Sequence, residues 1–293
     1  MNQELILSVL LSTLRGSTPL LFAMLGGCLS ERSGVINIAL EGLMLAGSFA
    51  AASIALSTGS AWAGFFAAGA AGAAFAALYS LVVIRLRADQ IVAGFAINML
   101  AAGITPFLSK ILYNSSTASA PVPIGGRFAY APIVIAWAGV LVVHFMMRKT
   151  RWGLWIRFAG EKPEALDAAG VSVRGVRWFA VVSGGFIAGL GGASLAIFLS
   201  SSFARNMTAG RGFMALAALI FGKWRPLPAA IACLLFGFAD AIQVRLQGVV
   251  LWGTEPVPVQ FIQILPYVVT ILVLAGVVGR SRAPAALGRS FDA

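Results

Sequence analysis

Apolar runs of membrane-spanning length follow one another along nearly the whole chain, separated by short polar gaps. A span needs about 20 apolar residues. By that measure helices fall near 5–29, 38–57, 62–84, 89–112, 129–147, 177–200, 227–246 and 258–279. Segment 211–222, RGFMALAALIFG, is too short to cross alone and reads as a half-helix or a helix buried in the bundle core. The one long polar interruption, Arg148 to Arg177, holds seven of the 21 Lys and Arg residues and three of the ten acids. Within it GEKPEALDAAG predicts a short helix over 161–170, with Pro163 near the start, acids in the first turns and Gly170 as the stop. The expected fold is all-α: a polytopic transmembrane bundle of about 8–10 helices, with short or broken helices near its core. It forms a single domain over 1–293.

Composition agrees. The chain is 59% hydrophobic and 11% charged, against about 25% charge in a soluble domain, and its mean hydropathy is +0.91. The net charge of +11 does not call for nucleic acid, because the basic residues sit at segment ends, where they meet anionic lipid headgroups and set orientation. A basic loop stays on the cytoplasmic side. Arg85 and Arg87, the 148–177 loop, Lys223 with Arg225, and the tail with Arg280, Arg282 and Arg289 are therefore expected inside, with a cytoplasmic C-terminus. Loops 113–128, 201–210 and 247–257 face outward; the polar stretch 30–37 leaves the first crossing open. The opening residues lack the features of a cleavable signal peptide. Cys28 and Cys233 lie in apolar segments without metal-ligand spacing and read as buried structural residues.

Polar side chains within the spans are the candidates for function. An ionised carboxylate near the bilayer centre costs roughly 2.5–3.5 kcal/mol, so Glu41 needs a protein or water partner, either Arg32 or backbone amides that it would pin at a broken helix. Asn37 lies four residues before it, Asn98 sits inside another span, and Asp240 and Gln243 share a helix face. Asn98 alone reads first as an interhelical hydrogen bond, and Asp240 has Arg245 as a poorly spaced partner. Arg211 is expected to snorkel to the outer interface rather than close over a ligand. The glycine cluster Gly184, Gly185, Gly189, Gly191 and Gly192 predicts close backbone packing, with the lining of a path as the second reading.

Absent motifs matter too. There is no GxxxxGK[ST] and no HExxH, and His144 is the single histidine. Gly192-Ala193-Ser194 has the GxS form of intramembrane serine proteases, whose base here would have to be His144 at the far end of another span.

With these residues in view, the chain resembles the permease subunits of bacterial ABC importers, in the branch of sugar and nucleoside permeases and nearest the guanosine and nucleoside ones. The resemblance rests on ERSGVINIALEGLMLAGSFAA from Glu31, ADQIVAGFAINMLAAGIT from Ala88, GEKPEALDAAGVSV from Gly160 and GRGFMALAALIFGKWRPLPAAIACLLFGFADAIQ from Gly210, which together sample nearly the full length. It implies a multi-pass protein of the bacterial cytoplasmic (inner) membrane that carries out no covalent chemistry and holds no metal. Its partners would be ABC ATPase subunits carrying ATP and Mg, a second permease chain, related but different, and a substrate-binding protein or lipoprotein. By matching position Glu161, Pro163, Glu164, Asp167 and Gly170 fall on the helix that couples to the ATPase. Related ribose-type permeases carry an aspartate where this chain has Asn37, which weakens the case for a sugar.

The reading is alternating access for a nucleoside, with Asn37, Glu41, Asn98, Asp240 and Gln243 offering polar contacts along the path and Phe95 and Phe213 apolar ones. A sugar or other small polar solute is the nearer rival. An intramembrane hydrolase using Ser194 and His144 is the distant one.

Overall fold

Helix follows helix with few residues between, as expected where lipid cannot satisfy free backbone groups. The structure is a computed structural model that describes residues 3–246, 264, 268 and 282–289. In order come α1 (Gln3–Arg32), α2 (Leu40–Thr58), α3 (Ala61–Ser80, prolonged by a π-helical turn Leu81–Arg85) and α4 (Gln90–Tyr113). Then follow α5 (Ala131–Lys149), α6 (Arg151–Glu161), α7 (Pro163–Ala168), α8 (Val173–Ser194, with a π-helical turn Leu195–Leu199), α9 (Arg211–Phe221) and α10 (Pro226–Leu246). Among the described residues, seven helical stretches are long and apolar enough to cross a membrane. They coincide with seven of the eight expected spans; the eighth, 258–279, lies outside the described residues but for 264 and 268. Helix α9, with 11 residues, is about 16 Å long at 1.5 Å per residue, the half-length element expected.

The boundaries have local causes. Ser60, Asp89, Thr150 and Ser172 each accept a hydrogen bond from a first-turn amide of α3, α4, α6 and α8 respectively, the usual N-cap chemistry. Pro163 opens α7, and Gly170, at φ +76°, ends that segment as predicted. The expected helix 161–170 is therefore shorter, Pro163–Ala168. An unforeseen helix, α6, precedes it.

Helix α8 is the central member, packed on α1, α2 and α3. Small residues let these backbones touch. A Cβ at Gly184 would meet the Gly26 carbonyl at 2.5 Å, one at Gly185 the Ala76 methyl at 2.2 Å, and one at Gly192 the Met44 carbonyl at 2.0 Å. The glycine cluster is thus packing, as the first reading had it, and no lining role is seen. Four basic residues, Arg32, Arg148, Arg157 and Arg225, surround one cavity, which puts the ends of α1 and α5, helix α6 and the start of α10 on one face, here termed the basic face. The tail reaches the same face: Ala286 N–H donates to the Gly160 carbonyl (2.8 Å) and Gly288 N–H to the Gly34 carbonyl (3.0 Å).

A side chain at Gly189 would press against the Ala68 carbonyl 2.2 Å away, whereas Gly103 has nothing within 4 Å. Gly189→Val is expected to destabilise the purified protein by about 2–3 kcal/mol, while Gly103→Val leaves it within about 0.5 kcal/mol; thermal melting in detergent compares the two.

Candidate functional site

Two breaks in the helical run bring the polar candidates together. The first, 33–39, joins α1 to α2. Asn37 is fully buried there; its side-chain amide donates to Ser30 Oγ (2.9 Å) and its backbone N–H to the Glu31 carboxylate (3.4 Å). The other Glu31 oxygen accepts from the Trp224 indole N–H. Farther along, Ile36 N–H donates to Gln90 Oε1 (2.8 Å) and the Tyr79 hydroxyl donates to the Ile36 carbonyl. Asn98 closes the break: its Nδ2 donates to the Ile38 carbonyl (2.9 Å) and its Oδ1 accepts from Gly42 N–H (2.8 Å). Gln90 opens α4 and Asn98 lies eight residues on, so α2 begins about 12 Å along α4, inside the bundle.

The second break, 200–210, leads into α9. Glu41, in the first turn of α2, accepts Gly210 N–H on Oε1 (2.8 Å) and Gly212 N–H on Oε2 (2.7 Å). A helix N-terminus exposes unpaired amides and partial positive charge, and this carboxylate answers both. Of the two partners expected for Glu41 the structure selects the amides; Arg32 instead pairs with Glu161 at 3.5 Å. Gly212 cannot carry a side chain, since a Cβ would lie 2.4 Å from the Glu41 nitrogen.

Around this cap the remaining candidates gather. Arg211 Nη2 lies 3.8 Å from Asp240 Oδ2. The rings of Phe95 and Phe213 face each other with centroids 6.4 Å apart, and both are 40% exposed or more. Gln243 lies one turn beyond Asp240 on α10, half-buried. Asn37 is the exception: it is sealed beneath the first break and joins no exposed surface.

Several expectations need correction. Arg211, opening α9 beside α10, turns to the Asp240 carboxylate where snorkelling was expected. Asp240 therefore does not pair with Arg245, whose guanidinium donates to Ser8 Oγ. The serine hydrolase reading fails on geometry. Ser194, the last residue of α8, is fully buried and donates to the Gly191 carbonyl, while His144 on α5 lines the cavity of the basic face with Arg32 and Arg157.

At the basic face, α6 and α7 form a bracket. Pro163 and Leu166 are buried, anchoring α7, so that Glu164 and Asp167 point outward and exposed. Glu161 pairs with Arg32 and accepts Ala285 N–H (3.3 Å). The residue that sequence reading missed is Arg177. Its guanidinium donates to the carbonyls of Ser33 (3.1 Å), Ala159 (3.1 Å) and Arg289 (2.8 Å). It thereby ties α8 to the first break, to α6 and to the tail. The signal available was slight, since Arg177 stands at the boundary between the basic stretch and the span 177–200; the structure starts α8 a turn earlier, at Val173.

Among the described residues, seven helices long and apolar enough to cross a membrane, with two breaks closed by the chain's own polar groups, define a multi-pass membrane bundle. The chain belongs to the family described as branched-chain amino acid transport system / permease component, whose profile matches residues 9–274. It is 38% identical to the guanosine ABC transporter permease protein NupQ of Bacillus subtilis, covering 97% of this chain and 96% of that protein. It is 34% identical to the nucleoside ABC transporter permease protein NupC of Lactococcus lactis, covering 94% and 93%. In fold it is similar to an inward-facing metal-chelate type ABC transporter, with TM-score 0.53 and 15% identity over 92% of this chain and 85% of that one.

Arg177→Met would strand buried carbonyls at 1–3 kcal/mol apiece. We expect a loss of about 3 kcal/mol or more in stability, read by thermal melting, with faster proteolysis at the tail.

Proposed function

We propose that this chain is one permease subunit of an ATP-driven importer and that it passes nucleosides by alternating access. The observation that carries this reading is the half-buried surface where α2, α4, α9 and α10 meet. A nucleoside joins a flat base to a polyhydroxyl ribose. The facing rings of Phe95 and Phe213 offer the base a stacking surface, and Glu41, Asn98, Asp240 and Gln243 offer acceptors and donors nearby. The likeness to guanosine and nucleoside permeases supports the same cargo. Asn37 serves the break beneath and does not touch the solute.

The second permease chain, related but different, would face this surface, and a substrate-binding protein or lipoprotein would deliver the nucleoside from outside. ATP and Mg belong to the partner ATPases, with neither held on this chain. The basic face would be cytoplasmic, by the rule that positive loops stay inside, together with the tail 282–289, in the bacterial inner membrane. There α7 would fit the ATPase: Glu164 and Asp167 point outward, Pro163 and Gly170 set its ends, and Glu161 ties it to Arg32. Closure of the ATPases on ATP would draw two such helices together and change the side on which the cavity opens. The ligand enters this cycle only through its different affinity for the two states.

The test is uptake by the reconstituted complex with its binding protein. We expect ATP-dependent accumulation of labelled guanosine, undiminished by excess glucose or ribose; transport of the sugar in its place would refute the nucleoside reading. Base–aromatic stacking contributes about 1–3 kcal/mol, so Phe95→Ala and Phe213→Ala should each raise the apparent KM roughly tenfold with assembly intact. Charge reversal in Glu164→Lys with Asp167→Lys should cut nucleoside-stimulated ATP turnover roughly tenfold, a common size for a coupling energy, while binding-protein affinity persists. Full coupling in that variant would remove α7 from the ATPase contact.

A further inference from the structure

The cavity of the basic face is not used by any step above. It has a volume of about 380 Å³ and is lined by Arg32, His144, Arg148, Arg157, Trp224 and Arg225, with no carboxylate in its wall among the described residues. Two acids touch residues of the wall from outside it: Glu161 pairs with Arg32, and buried Glu31 takes the Trp224 indole N–H. Arg32 has Glu161 as its counter-charge; the guanidinium groups of Arg148, Arg157 and Arg225, brought together from α5, α6 and the α9–α10 turn, repel one another and favour an anion among them. The turn that supplies one of them is strained. Lys223 and Trp224 occupy the left-handed region at φ +53° and +54°, which non-glycine residues rarely adopt, and observed strain of this kind points to a functional constraint. It seats the Trp224 ring on Glu31 and leaves Arg225 exposed at the cavity.

The surroundings identify the anion's source. Met147 and Leu227 are also in the lining. The two helices that supply them also carry exposed apolar side chains, Phe145 on α5 and Ile231 on α10, 62% and 68% exposed. Helix α6 carries exposed Trp152, Leu154 and Phe158 beside its arginines, the composition of a helix lying in the bilayer interface. Tryptophan at that depth is usual. A second hollow of about 500 Å³, lined by Leu154, Phe158, Lys162 and Glu161, shares Arg32 and Arg157 with the first. Basic recesses at headgroup depth beside apolar helix faces suit an anionic phospholipid.

We propose that this cavity binds the phosphate headgroup of an anionic phospholipid, with acyl chains lying along α5 and α10. Arg148 and Arg225, both exposed, are the ligands that can be changed without disturbing the core. The site depends on the chain's place in a membrane and not on the identity of its cargo.

The experiment is native mass spectrometry of the detergent-purified, delipidated complex titrated with phosphatidylglycerol or phosphatidylcholine. The expected result is preferential retention of phosphatidylglycerol, weakened roughly twentyfold in Arg148→Gln with Arg225→Gln and roughly fivefold in each single variant, from a contribution of about fivefold per arginine near a charged leaflet. Arg85→Gln, on the same face but outside this cavity, should bind as the unaltered complex does. The single variants keep the test open if the double one melts early. Unchanged phosphatidylglycerol binding in the variants would overturn the proposal. So would displacement of the lipid by millimolar inorganic phosphate, which would assign the cavity to a free anion. Loss of the ATPase from the variants with lipid binding intact would assign the arginines to a protein contact, and would overturn it equally.

Discussion

A helix that begins inside a bilayer presents amides that lipid cannot satisfy, and this protein begins two there. Helix α9 is possible only because the Glu41 carboxylate meets the amides of Gly210 and Gly212 at once. Helix α2 is possible only because Asn98 serves both the Ile38 carbonyl and the Gly42 amide. The two solutions are linked, since Glu41 belongs to the first turn of the helix that Asn98 secures. Charge-assisted bonds of this kind are stronger than neutral ones, and the carboxylate is retained in the interior because it has somewhere to put its charge. The same junction sets Phe213 opposite Phe95 and Arg211 beside Asp240. The candidate path is thus a consequence of how the breaks are closed.

The glycine packing of α8 shapes the rest. With α1, α2 and α3 held against it at backbone contact, these four helices form a dense unit. Helices α4 and α5 are covered far less, and much of their surface is open to lipid or to another chain. The half-buried candidates sit at the seam between the dense unit and α4, the place where a packed body and a less constrained helix shift relative to each other with least loss of contact.

Seven spans, the half-length α9 and the Pro163-to-Gly170 helix were legible because hydropathy, length and capping residues are local properties. Glu41, Asn98 and Asp240 were legible as residues out of place in lipid, but their wiring was not. The Arg211–Asp240 pairing joins residues 29 apart, and the Glu41 cap joins residues 169 and 171 apart; no spacing rule connects them. Local reasoning instead offered Arg245 for Asp240, a neighbour in sequence that faces Ser8. Helix α6 was missed although Thr150 caps it, because its arginines and tryptophans read as loop when set against twenty-residue apolar runs. Asn37 lies buried under the first break, its side-chain amide donating to Ser30 Oγ, a placement that composition cannot distinguish from an exposed one.

Arg177 links the small bracket on the basic face to a surface deep in the bundle. Its three carbonyl partners belong to the first break, to the end of α6 and to the tail, while its backbone belongs to α8. A displacement of α6 and α7 therefore cannot be absorbed at the surface: it moves the Ala159 carbonyl, and with it either the guanidinium or the Ser33 carbonyl on the other side. Breaking one of these bonds leaves a buried polar group unpaired, which costs more than a small rigid shift of the whole junction. The first break is the segment whose far end is fixed by Asn98 and leads into Glu41. Motion entering at α7 thus has a continuous hydrogen-bonded route through Arg177 and residues 33–39 to the start of α2, where the cap of α9 and the facing aromatic rings are set.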